Sequence, residues 1–195
     1  MHNEAFTQVE KAIKNRRSTS WAKMNGNKIP DEIIAQLLEL ACWAPTHAKT
    51  EPWYFMVYRG EAMKHFAAAH AAMYWENTAE PKRTEAGRHK LEHNTDLASH
   101  LIVSVMKRGA NEKIPVVEEI AAASAAIQNI LLGATALGIA SFWSTGGMTH
   151  QPALKQYFNL AEEDIMLGLI FLGYSNDTPK TSVRNKPQEE KIRWM

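Results

Sequence analysis

Between Glu119 and Lys155 the chain contains no Asp, Glu, Lys or Arg. In a sequence of ordinary composition, 45% hydrophobic and 22% charged, so long an uncharged stretch has to be hidden from water. It can be hidden in a membrane or in a core. Ser124, Gln128, Asn129 and Thr135 interrupt it, and it is rich in alanine rather than leucine. A membrane helix is more uniformly apolar. A buried central helix is therefore expected, opened by Pro115 and ended by Gly138, with a buried strand over 139–144. A helix without a charged face has little contact with water. In a chain of 195 residues, that predicts cover from a partner subunit as well as from its own domain.

The remaining numbers narrow the class. The length suits one domain over 1–195 with a sizeable core. A net charge of +1 argues against a nucleic-acid protein, which would carry a strong basic bias. A single cysteine, Cys42, leaves no internal disulfide and suits a reducing cytoplasm. Falling in the apolar helix 31–43, it is expected to be a buried small hydrophobe rather than a nucleophile. The N-terminal Met-His-Asn-Glu has no cationic head with an apolar run behind it, so no signal peptide is expected.

Helices alternate with about four strands. Val9, Ala12 and Ile13 predict a helix over 4–14. Pro30 opens another, with Asp31 and Glu32 in its first turn and Ile33, Ile34, Leu37, Leu38 and Ala41 as its apolar face. The run 53–58 reads as a buried strand ended by Gly60, and 61–75 as an alanine-rich helix. The charged stretch 76–97 reads as surface, helical in part. Strands over 100–106 and 165–172 and a short helix over 152–158 follow. The tail 175–195 is polar but ends in Ile192, Trp194 and Met195, an arm expected to pack on a partner.

Several short stretches carry chemistry. The loop from Ala44 to Trp53 has a proline near each end and polar or cationic residues between, including His47 and Lys49. Its prolines make it a rigid connector suited to holding a ligand. Arg16-Arg17-Ser18 offers two guanidiniums and a hydroxyl, a phosphate grip or a solvated helix end. Trp143-Ser144-Thr145-Gly146-Gly147 closes the third strand and offers a wall for a flat aromatic ligand, or an ordinary turn. Arg184 and Lys186 give the tail two cations. No G-x-G-x-x-G or G-x-x-x-x-G-K phosphate loop is present. His89-Lys90-Leu91-Glu92-His93 matches an inverted zinc-protease motif, with His89 and His93 as ligands and Glu92 as base. It lies in a surface-like charged run, where a five-residue match arises by chance. A zinc hydrolase is the remote alternative.

In their order and spacing, these pieces resemble the FMN-dependent nitroreductase family. The resemblance rests on Arg16-Arg17-Ser18, Ala44-Pro45 through Glu51-Pro52-Trp53, Ala136-Leu137-Gly138 and Trp143-Ser144-Thr145. It continues through Leu172-Gly173-Tyr174, Arg184-Asn185-Lys186-Pro187 and Ile192-Arg193-Trp194, and is weakest over 60–110. It implies an α+β fold with a mixed, mainly antiparallel sheet flanked by helices, in an intertwined homodimer resembling the family's small members. It implies FMN at subunit-shared sites, with NADH or NADPH as reductant and nitroaromatic or quinone-like acceptors in a ping-pong hydride mechanism. By similarity, Arg16, Arg17, Ser18 and Arg184 would hold the phosphate and ribityl chain. Trp143, Ser144 and Thr145 would line the flavin, and His47 would approach the flavin of the other subunit. No catalytic side chain is implied. The resemblance also allows a flavoprotein of the same fold with another task, such as dehalogenation, desaturation or flavin carriage. Two positions depart from the pattern. Ser20 stands where many relatives carry a cation near the flavin's pyrimidine end, and Lys49 where many carry Asn. Lys49 is expected to supply the missing charge beside the anionic reduced flavin.

Overall fold

The computed structural model describes residues 3–177 and 182–195. Helix α1 (Glu4–Asn15) opens with Asn3, whose Oδ1 accepts the Phe6 N–H at 2.8 Å. Proline 30 stands at the N-cap of α2 (Asp31–Ala41), whose first turn carries Asp31 and Glu32. After a loop come β1 (Trp53–Arg59), α3 (Gly60–Asn77) and α4 (Glu85–Glu92). Then follow β2 (His100–Met106), α5 (Val116–Ala136), β3 (Ala140–Ser144), α6 (Pro152–Tyr157) and β4 (Ile165–Gly173).

The four strands form one sheet in the order β1-β2-β4-β3, antiparallel throughout. This matches the α+β expectation. A bulge in β4 faces the step from Ser104 to Val105, where the register shifts. It changes which side chains face which way. Ile170 and Leu172 point to one face of the sheet, Leu169 and Phe171 to the other.

Helices α2 and α5 cover the first face, with Leu37, Ala41, Ile127 and Ile130 against Ile102, Ile170 and Leu172. Gly133 lets these helices approach closely: a Cβ there would stand 2.8 Å from Leu37 and 2.9 Å from Leu40. Gly138, at φ +70°, ends α5 as the sequence predicts. By length and composition α5 could cross a membrane. Here its buried residues are the core of this face, and Ser124, Ala125, Gln128 and Asn129 form a half-exposed, uncharged stripe. Helices α3 and α6 cover the second face, with Met63, Phe66 and Leu154 against Leu101, Val103 and Phe171. Helix α4 packs on α3, and α1 on α5.

Three expectations need correction. Strand β1 is not a buried strand: it lies at one sheet edge, and Tyr54 and Val57 are each 43% exposed. Strand β3 is not a buried strand either: it lies at the other edge, and of its five residues only Ser141 is buried. Cys42 is exposed, not buried. It caps α2 with its backbone still helical, one residue past buried Ala41, and so falls off the apolar face.

Candidate functional site

The N-terminal motif and the strand-end motif meet. Ser18 forms a parallel bridge to Ser141 in β3, and Thr19 N–H donates to the Ser141 carbonyl at 2.9 Å. This places Arg16-Arg17-Ser18 alongside the strand that carries Trp143-Ser144. The two guanidiniums divide their work. Arg17 Nη1 donates to the carbonyls of Lys14 and Arg16 at 2.7 and 2.9 Å, closing the end of α1. Arg16 Nη1 reaches Ser18 Oγ at 3.5 Å, so a cation and a hydroxyl stand together.

Beyond this junction lies a cavity of about 290 Å³, lined by Ser20, Trp21, Phe142, Ser144, Gly146 and Gly147 on one side. His70 and Tyr74 of α3, Gly87, Lys90 and Leu91 of α4, and Asn94 line the other. Its floor is Leu169 and Phe171 of β4. The α3–α4 wall is tied down by Tyr74, whose hydroxyl oxygen accepts the Thr84 N–H at 3.1 Å. The Arg83 guanidinium sits 4.5 Å from the Trp75 ring centre, with Arg88 at 5.5 Å.

Six lining residues come from the stretch where the sequence pattern was weakest, Asn94, Lys90 and His70 among them. Asn94 is 5% exposed and its Oδ1 has no hydrogen-bond partner. Lys90 stands at the rim. His70 is 1% exposed; its Nε2 accepts the Met148 N–H at 2.9 Å, and its Nδ1 has no partner. Burial pushes the His70 pKa down to about 4, so the ring is neutral near pH 7. A buried polar atom left unbonded costs about 1–3 kcal/mol.

Strand alternation splits the third motif. Phe142 and Ser144 face the cavity, whereas Trp143 packs on the α2–α5 face and its Nε1–H donates to the Leu167 carbonyl at 2.9 Å. Thr145 is exposed on the turn that follows.

The Ala44–Trp53 loop is distorted. Ala48, Lys49 and Glu51 have φ of +49°, +55° and +46°. Left-handed backbone costs non-glycine residues about 1–2 kcal/mol each, and such strain gathers at ligand clamps. Thr46 Oγ1 accepts the Glu51 N–H at 3.2 Å and bonds Thr50 Oγ1 at 3.0 Å. His47 Nδ1 meets Glu118 Oε2 at 2.5 Å, which ties the loop to the first turn of α5. His47 and Lys49 are exposed and lie outside the cavity lining of their own chain. So does Arg184, which donates to Ser182 Oγ at 3.0 Å, and Lys186, both on the exposed tail.

The zinc reading finds no support. His93 Nδ1 is engaged by Asp96 at 2.9 Å, and no cluster of three or more His, Cys, Asp or Glu suited to a metal exists among the described residues. A Ser-His-Asp chain does exist: Ser99 Oγ lies 3.0 Å from His100 Nδ1, and His100 Nε2 lies 3.1 Å from Asp31. It is structural. Ser99 is 1% exposed and its Oγ accepts the Ile29 N–H at 2.7 Å, while Asp31 is ion-paired to Arg59.

Known proteins resemble this chain in sequence and in fold. The chain is 27% identical over 170 residues to "Putative NAD(P)H nitroreductase YdjA" of Escherichia coli (strain K12), spanning 87% of this chain and 89% of that protein. The crystal structure of a nitroreductase-like family protein from Bacillus cereus superposes with a TM-score of 0.83 at 24% identity, covering 100% and 97% of the two chains. A "putative nitroreductase in complex with fmn" from Desulfovibrio desulfuricans does so at 0.73 and 25% identity, covering 100% and 98%. The Nitroreductase family model matches residues 13–174, and the chain belongs to that family.

Proposed function

We propose that this chain is a cytoplasmic, FMN-dependent NAD(P)H oxidoreductase that works as a homodimer and reduces nitroaromatic or quinone-like acceptors. The observation that carries the reading is the Ser18–Ser141 bridge, which sets a guanidinium and hydroxyl beside a cavity with aromatic walls. The cavity residues fit a flavin ring. Phe142, Phe171 and Trp21 are suited to a flat aromatic body. The carboxamide of Asn94, with an unpaired Oδ1, is complementary to an imide edge that both donates and accepts. Relatives named for NAD(P)H, and one solved with FMN, support the same assignment.

FMN, when bound, supplies two-electron chemistry, accepting a hydride equivalent from NAD(P)H and passing it to an acceptor that takes its turn at the same place. The chain's own residues bind and orient. Arg16 and Ser18 would hold the phosphate, and Arg17 keeps their backbone in place. Ser20, Ser144 and Asn94 would position the ring, and Lys90 at the rim would favour negative charge within it. The dimer reading draws on Phe6, Val9 and Ile13, which lie along one side of α1 and are each at least half exposed. The uncharged stripe of α5 and the apolar end of the tail point the same way. In such a dimer His47 and Lys49 approach the partner's cavity, and the tail delivers Arg184.

The test is the visible spectrum of the purified protein, followed anaerobically on adding NADH or NADPH. A yellow protein that bleaches and is reoxidised by a nitroaromatic or quinone is expected. A colourless protein that takes up no FMN would sink the reading. Bleaching without turnover would instead favour a flavoprotein with another task.

A further inference from the structure

The turn after β3 is held from across the cavity by one imidazole. Ser144 Oγ accepts the Gly146 N–H at 3.3 Å, and Thr149 Oγ1 donates to the Gly146 carbonyl at 2.7 Å. These bonds fold the turn on itself without fixing where it stands. Its place is set at Met148, whose side chain, 3% exposed, joins the second-face core and whose N–H donates to His70 Nε2 at 2.9 Å, a contact between residues 78 apart in the chain. A ring nitrogen that accepts a hydrogen bond carries no proton, so the proton sits on Nδ1 and the tautomer is set. Gly147 is moulded to the ring: its φ is +64°, and an added Cβ would stand 2.6 Å from His70 Nε2.

We propose that His70 is a positioning residue, which sets the Ser144–Met148 turn against the cavity from α3 and so determines how tightly the cavity grips a planar ligand. A ring kept only for packing would leave no polar atom stranded. Here Nε2 holds one amide of the strand-end turn, and the buried Nδ1–H goes without a partner. The neighbouring Phe66 ring, 5.5 Å away, fixes the imidazole without bonding it. The proposal rests on the reading of the cavity as a flavin site.

The test compares His70→Gln, His70→Asn and His70→Met in the purified flavoprotein. Gln carries a carboxamide to about where Nε2 stands, Asn stops one methylene short, and Met fills volume with no comparable acceptor. FMN dissociation constants measured on flavin-stripped protein are expected to rise about tenfold for Asn and Met and to stay within about threefold for Gln, in keeping with a lost buried bond. The bound-flavin absorption bands should shift in the same order. Hydrogen exchange at the Met148 amide gives a readout independent of flavin: protection is kept with Gln and lost with Asn and Met. Equal FMN affinity and equal Met148 protection in the Gln and Asn variants would overturn the proposal, and that pair decides it even where the Met variant does not fold. A wild-type protein that binds no FMN would sink the flavin reading instead, and the exchange measurement would then judge the clamp by itself.

Discussion

The two faces of the sheet are filled in different ways. Against α2 and α5 the core is aliphatic, built mainly of Ile, Leu and Ala, and helix meets helix closely enough that a side chain at position 133 would press on Leu37 and Leu40. Against α3 and α6 Met and Phe are mixed with Leu and Val, and the filling gives way toward α4 to a cavity bordered by buried His70 and Asn94. The first face is a finished core. The second is a core with an opening lined in part by His70 and Asn94, each of which carries a buried polar atom without a partner. A sheet with one closed face and one incomplete face holds its site rigid on one side and leaves the other to be shaped by a less constrained segment.

The largest effect should come from opening the closed face. Ile130 is 0% exposed, and Ile130→Ala should cost about 2–5 kcal/mol, read as a lower denaturant midpoint at fixed protein concentration. FMN affinity of the folded fraction should hardly change. A substantial loss of affinity would mean that the two faces are not separable.

The open face should make stability depend on pH. The His70 pKa falls from 6.5 to about 4 on folding, because burial opposes the charged ring. Below pH 6.5 the unfolded chain takes up a proton that the folded chain refuses, so stability drops as pH falls, by about 3 kcal/mol near pH 4. The His100 pKa is also lowered, chiefly by burial and then by Arg59 and Lys28, and acts in the same direction. Denaturant melts from pH 7 to pH 4 check this, and His70→Gln should flatten the profile.

Arg16→Ala should weaken FMN binding about 10–100-fold, the range for a charge-assisted hydrogen bond worth about 1.5–3 kcal/mol. Arg17→Ala should affect flavin affinity less and the end of α1 more. Titration of flavin-stripped protein separates the two. Equal losses would contradict the division of labour between these guanidiniums.

The smallest effect belongs to His47 and Glu118. Their side chains are 57% and 44% exposed, so the pair should contribute only about 0.2–1 kcal/mol and should fade with added salt. Thermal melts of Glu118→Gln at low and high ionic strength measure it.

Much of this was legible in the chain. The lack of charge from Glu119 to Lys155 required burial, and the helix and its glycine stop appear where that burial predicts; the strand that follows is in place but lies half-buried at a sheet edge. The strand over 100–106 has the bounds its pattern implies. The Arg16-Arg17-Ser18 and Trp143-Ser144 motifs were visible as pieces. These features follow from local rules: apolar spacing, caps and breakers act within a few residues.

Other features were decided only by tertiary structure. The bridge from Ser18 to Ser141 joins stretches that share no local pattern, and the cavity draws His70, Lys90 and Asn94 from a region that carries little of the family pattern. Strand alternation turned Trp143 away from Ser144, and position in the sheet made β1 an edge. Cys42 became exposed because it lies one helical step past buried Ala41, off the apolar face of α2. Periodicity in a sequence says which side of an element is apolar. Which elements meet there, and which polar atoms are left unpaired where they meet, depends on contacts between residues far apart in the chain, and only packing sets those.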